Sequence, residues 1–333
     1  MKRMCVAMAA LALLCVCTTA RAVVMETVRV GDAGNAGDTR YGNAYQGSGP
    51  ASYGAVSYAY KIDKYEVTAG QYCEFLNAKA KTDTYGLYNT SMWSNAYGCK
   101  IQRSGTSGGY TYSVASDYAN RPVNFVSCWD ACRFANWLNN GQGIGDTETG
   151  AYTLGGYNGT DGYAIQRNAG WKCAVTSEDE WYKAAYYKGG NTDAGYWDYA
   201  TRSNTAPNNQ VLGTDTGNSA NYYISNYSIG SPYYRTNVGE FENSASAYGT
   251  YDQGGNVWEW NEGQGSFRGL RGSSFMNNQS NFLSASSRSE YFNPTTEGEL
   301  IGLRVVQAVP EPSSLIALGA LLAPLLAFRR RKG

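Results

Sequence analysis

The stretch Tyr251-Asp252-Gln253-Gly254-Gly255-Asn256-Val257-Trp258-Glu259-Trp260 is the densest run of informative residues in this 333-residue chain. Adjacent glycines permit a tight turn, and such a turn between acidic side chains aims backbone carbonyls inward. An oxygen-only donor set of that kind suits Ca²⁺, which takes six to eight oxygens at about 2.3–2.6 Å. The same residues also fit a turn held only by hydrogen bonds from the Asn256 side chain. Trp258 and Trp260 read as core aromatics or as the wall of a ligand groove.

Four further blocks accompany it: Lys64-Tyr65-Glu66-Val67-Thr68 with Gln71-Tyr72 and Phe75-Leu76-Asn77; Pro122-Val123 with Val126-Ser127 and Trp129-Asp130-Ala131; Thr176 with Glu180-Trp181 and Ala184-Ala185; and Leu270-Arg271-Gly272-Ser273-Ser274-Phe275 with Arg288 and Ile301-Gly302-Leu303-Arg304-Val305. Three of the blocks hold helix starts. Thr68 to Gln71 is a capping box ahead of a Tyr72/Phe75/Leu76 stripe, Ser127 to Asp130 is a looser one ahead of Ala131/Phe134/Ala135/Leu138, and Thr176 caps a helix bearing Trp181, Ala184 and Ala185. Glu178, Asp179 and Glu180 complement the positive end of that last helix. Tyr58 to Ile62 and Tyr110 to Val114 alternate like half-buried strands. With no linker or repeat between Val23 and Val309, the reading is a single α+β domain with few helices and long loops.

The ends have a different character. Residues 1–22 read as a secretory signal: Lys2 and Arg3, an apolar run from Met4 to Val16, and the small-x-small pattern Ala20-Arg21-Ala22. From 310 to 333, Pro310-Glu311-Pro312 leads into the apolar run Ser313 to Phe328 and then Arg329-Arg330-Arg331-Lys332. That run is shorter than the roughly 20 residues of a lasting membrane span, so a transient inner-membrane stop with a cytoplasmic basic end is expected.

Taken in chain order, the five blocks resemble the formylglycine-generating enzyme family, also called the sulfatase-modifying factor domain. The tail resembles the PEP-CTERM sorting signal. The first resemblance implies the family's irregular α+β fold, related to C-type lectins, over residues 23–309. It implies a Ca²⁺ loop with carboxylates from Asp252 and Glu259 and carbonyls from Gly255 and Val257, a second, weaker site near Asn221 and Tyr222, and a groove bordered by Trp258, Arg271 and Ser274. The second implies export across the inner membrane of a Gram-negative bacterium and handling by an exosortase, with the protein membrane-tethered before sorting to the surface or exterior.

Catalytic members oxidise a sulfatase cysteine with copper held by two cysteines beyond the Arg-Gly turn. Here those positions are Asn277 and Phe282, and no cysteine follows Cys173. Cu(I) needs soft thiolate donors, which amide and phenyl groups do not replace. The chain has no histidine, which also removes a Ser-His-Asp triad and His-based zinc or haem sites. The expectation is therefore no catalytic residues and no copper, and a binding or structural module whose ligand is a peptide or a glycan. An enzyme using carboxylates such as Asp252 or Glu259, or a true formylglycine generator, is the competing reading. Outside the signal the cysteines are Cys73, Cys99, Cys128, Cys132 and Cys173, an odd number. Cys128 and Cys132, four apart on a helix, read as small buried apolar residues.

Charged residues make up 16% of the chain, against about 25% in ordinary soluble domains. Its formal net charge of zero is misleading. Setting aside seven basic residues at the two ends and Glu311 leaves 20 basic and 26 acidic residues, a net of −6. An acidic domain with no basic stripe argues against nucleic acid as a partner.

Overall fold

A computed structural model describes residues 22–42, 51–210, 215–263 and 267–310. The signal segment, apart from Ala22, and the tail from 311 onward lie outside the described residues. In chain order the strands are β1 (Thr27–Val30), β2 (Tyr60–Asp63), β3 (Ile101–Ser104), β4 (Thr111–Val114), β5 (Cys173–Val175), β6 (Trp258–Asn261), β7 (Arg268–Arg271), β8 (Ser289–Phe292), β9 (Ile301–Leu303) and β10 (Val305–Ala308). The helices are α1 (Ala69–Lys79), α2 (Ser91–Ser94), α3 (Cys128–Asn139) and α4 (Glu178–Tyr186).

Local chemistry sets the helix starts. Thr68 and Gln71 form a reciprocal capping box before α1, and Ser127 and Asp130 form one before α3. The third cap falls one residue later than expected: Ser177, not Thr176, accepts from the Glu180 amide and the Glu180 carboxylate returns to Ser177. Tyr72 and Phe75 of α1 then meet Phe134 and Trp137 of α3, with ring centroids 5.3–6.0 Å apart.

Strands β1-β2-β10-β5 form an antiparallel sheet, β3 and β4 a hairpin, and β8-β7-β6-β9 a second four-stranded sheet in which β6 and β9 run parallel. One hydrophobic core joins them, taking Ile62 and Val306 from the first sheet and Trp260, Leu270 and Leu303 from the second. This is the expected α+β fold with few helices and short sheets. A single residue, Arg304, separates β9 of one sheet from β10 of the other, so its side chain sits where the two sheets meet.

The glycine turn is sterically obligatory. Gly255 has φ +103°, and a Cβ there would lie 2.4 Å from the Asn221 carbonyl oxygen. Gly272 has φ +102°, with a Cβ position 2.9 Å from the Gln253 carbonyl oxygen. Among the described residues no helix is long and apolar enough to cross a membrane.

Candidate functional site

Antiparallel pairing of β6 with β7 sets Glu259 opposite Arg271 and Trp260 opposite Leu270. Alternation along β6 therefore sends Glu259 to one face and Trp258 and Trp260 to the other. On the first face, the fully buried Glu259 carboxylate accepts from Arg304 Nη2 at 2.8 Å, Arg304 Nε at 2.9 Å and Trp181 Nε1 at 2.7 Å. Arg304 also donates to the carbonyls of Asp63 at 2.9 Å and Tyr251 at 2.8 Å.

Three more acids stand within electrostatic reach of that guanidinium. Glu66 is buried, accepting from the Asn256 side chain at 3.1 Å and the Val257 amide at 3.3 Å. Burial, followed by the charges of Asp252 and Glu259, raises the Glu66 pKa well above the ordinary carboxylate range. Asp252 accepts from the Gly239 amide at 2.6 Å, and burial pushes its pKa up to about 6. Asp63 is raised well above its usual value by burial, and its Oδ1 has no hydrogen-bond partner. Glu66 and Arg304 both lie in the sequence blocks; for Arg304 the signal is a charge inside the otherwise apolar run Ile301 to Val306.

The residues expected to bind Ca²⁺ are thus gathered only in part. Asp252 and the Gly255–Val257 backbone lie beside Glu66, whereas both Glu259 oxygens are engaged by Arg304 and Trp181. Among the described residues, no three His, Cys, Asp or Glu side chains are placed to hold a metal ion. At the second position, the Asn221 side-chain amide donates to the Tyr234 carbonyl and to Asn256 Oδ1, and Asn221 Oδ1 has no partner. The Tyr222 carbonyl accepts from Asn209 and Ser228, and the Tyr222 hydroxyl donates to the Pro207 carbonyl. None of these contacts brings a carboxylate to that position.

The expected groove residues separate. Arg271 is 1% exposed and pairs with Glu178 at 2.7 Å, its guanidinium 4.8 Å from the ring centres of Tyr53 and Tyr182. Lying opposite Glu259, it belongs to the face away from Trp258. Glu178 stands in the first turn of α4, as expected of a helix-dipole complement, and is in addition a buried ion-pair partner; Glu180 likewise pairs with Arg167 at 2.8 Å. Trp258 and Ser274 do converge, on Asn277: its Oδ1 accepts from Trp258 Nε1 at 2.9 Å and from Ser274 Oγ at 2.6 Å. Phe282 packs edge-on against Trp258, centroids 6.4 Å apart. The two positions that the resemblance assigns to copper thiolates are therefore filled by an amide and a phenyl ring bound to the neighbouring indole. Cys73, Cys99, Cys128, Cys132 and Cys173 are all buried and free.

Residues 19–309 match the family described as sulfatase-modifying factor enzyme 1-like domain, and residues 308–332 match the PEP-CTERM protein-sorting motif. Among solved structures, CarF is 21% identical, covering 86% of this chain and 99% of that one at a TM-score of 0.51. Variable protein 1 of Treponema denticola is 20% identical, covering 87% and 97% at a TM-score of 0.51. At these identities the likeness concerns the fold alone. No curated protein matches the chain.

Proposed function

The chain belongs to the family of sulfatase-modifying factor enzyme 1-like domains, and from that premise we propose that it is an exported binding or structural module that does not oxidise cysteine. The observation that carries this reading is Asn277, whose side-chain oxygen is committed to Trp258 and Ser274. Phe282, the other position assigned to copper by resemblance, offers no donor atom at all. No thiolate or imidazole is at hand for a soft metal there, because no Cys or His follows Cys173. The carboxylate alternative has little support: Glu259 is neutralised by Arg304, and Asp252 is hydrogen-bonded to the Gly239 amide.

Structural Ca²⁺ belongs to the same proposal. Glu66 and Asp252 carboxylates with the carbonyls of Gly255 and Val257 would hold the ion, which would supply the positive charge that these buried acids lack. The fit is supported by the placement of Glu66 against the Asn256 side chain and the Val257 amide; burial first, and then the charges of Asp252 and Glu259, raise its pKa, so a cation there would favour the ionised form. Glu259 then serves the fold through Arg304 rather than the ion. Residues 1–22 act as signal, 23–309 as the exported domain and 310–333 as the sorting tail, handled by an exosortase while the protein is tethered to the inner membrane. The mature protein works at the cell surface or in the extracellular matrix.

The catalytic part is tested by incubating the purified protein with copper, a thiol reductant, oxygen and a Cys-x-Pro-x-Arg peptide. The peptide mass should remain unchanged. Appearance of the aldehyde at its cysteine would overturn the reading.

A further inference from the structure

Around Asn277 the surface has an unusual make-up. From Thr216 to Tyr234, and again from Gly272 to Ser287, the chain carries no Asp, Glu, Lys or Arg. These two segments are joined: the Tyr223 amide donates to the Asn277 carbonyl at 3.0 Å, while the Asn277 side chain holds Trp258. Along them runs a row of half-buried rings. Tyr97 meets Tyr234 at 4.8 Å, Tyr234 meets Tyr227 at 5.0 Å and Tyr227 meets Tyr223 at 5.0 Å, all edge-to-face. Beyond Asn277 the row continues through Trp258 to Phe282. Ser225, Asn226, Asn278 and Gln279 stand exposed beside it.

We propose that this aromatic row is a binding site for an uncharged polysaccharide. The inference rests on the binding-module reading and gives its ligand a chemical class. A sugar ring offers apolar C–H faces and hydroxyls that both donate and accept. Half-exposed tyrosine and tryptophan rings cover the former, and amides and hydroxyls answer the latter. Edge-to-face contact between neighbours leaves part of each ring face free for such stacking. Tyr, Ser, Asn and Gly are also the residues that build adaptable, low-entropy recognition surfaces elsewhere.

Charge narrows the choice. An anionic polymer or lipid surface requires lysine or arginine at the contact, and the two segments have none. The cations beside it do not present free charge: Lys100 Nζ donates to the carbonyls of Trp93 and Asn95, the Arg121 guanidinium lies 4.0 Å over the Tyr233 ring, and Arg235, which follows Tyr234, is fully buried with its guanidinium 5.8 Å from the Phe275 ring centre. An extended peptide would add to a free strand edge, but both segments are loops with one short 3-10 turn at Ser280–Leu283.

The test is electrophoresis of the purified full-length protein through native gels cast with hydroxyethylcellulose, xylan or dextran as neutral polymers and polygalacturonate as the charged one. Retardation by at least one neutral polymer is expected, with at least tenfold weaker retardation for Tyr227→Ala and for Tyr223→Ala. Thermal melting of both variants checks folding. A charge introduced by Asn226→Asp, at an exposed position, should weaken the retardation without lowering the melting temperature. Retardation by polygalacturonate alone, by none of the polymers, or equally in wild type and folded variants overturns the proposal. Those results leave the copper assay unaffected, so failure of the ligand class is distinguishable from failure of the non-catalytic reading.

Discussion

Replacing Arg304 with Met should be among the most damaging single changes in the domain. The guanidinium is fully buried and donates five hydrogen bonds: three to Glu259 at 2.8, 2.9 and 3.2 Å and one each to the carbonyls of Asp63 and Tyr251. Removing one partner of a buried pair strands the other, at a cost of about 3–5 kcal/mol. Two carbonyls that lose their donor add about 1 kcal/mol each. A total of about 5–7 kcal/mol corresponds, at about 2–4 °C per kcal/mol for a domain of this size, to a fall in melting temperature of about 10–28 °C. Urea unfolding followed by tryptophan fluorescence measures the free energy, and calorimetry the melting temperature. Adding Glu259→Gln to Arg304→Met removes the stranded charge, so the double variant should lose at least about 2 kcal/mol less than the sum of the two single losses. A loss below 1 kcal/mol for Arg304→Met, or strict additivity in the cycle, would refute the assignment of this pair as the link between the sheets.

Two further outcomes follow from the same interior. Burial, then the charge of Glu297, raises the Asp130 pKa to about 7, so the folded state keeps a proton that the unfolded chain releases near pH 4. Stability from this group is full below about pH 4 and declines as pH rises toward 7; Asp130→Asn, whose carbonyl still accepts from Ser127, should therefore gain on the wild type by a few kcal/mol between pH 4 and 7, and a pH-independent difference in urea unfolding would contradict this. For the metal, Ca²⁺ added to chelator-treated protein at a hundred times its dissociation constant should stabilise by about 2.7 kcal/mol, and Glu66→Gln should abolish that gain; no heat in calorimetric titration and no shift in melting temperature would remove Ca²⁺ from the proposal.

Much of the fold could be read along the chain because its signals are local. Thr68 with Gln71 and Ser127 with Asp130 are neighbours three residues apart, so their capping boxes depend on little beyond themselves. The third cap slipped from Thr176 to Ser177 because two adjacent hydroxyls compete, and the Glu180 carboxylate selects the residue three before it. The missing copper thiolates were equally legible, since the absence of Cys and His after Cys173 is a property of composition.

Where the motif side chains point was not legible in this way. Arg271, Trp258 and Ser274 lie within seventeen residues of one another, yet strand alternation and pairing with Glu259 turn Arg271 inward to Glu178, while Trp258 and Ser274 meet at Asn277. Glu66 reaches Asn256, and Asp63 reaches Arg304, across more than half the chain. Sequence by itself determined the family, the helix starts and the want of soft metal ligands, all fixed by residue type or short spacing. Only the tertiary structure decided which acids share one guanidinium and which aromatic rings share one surface, because charge compensation and ring contact depend on distances in space that the order of residues does not encode.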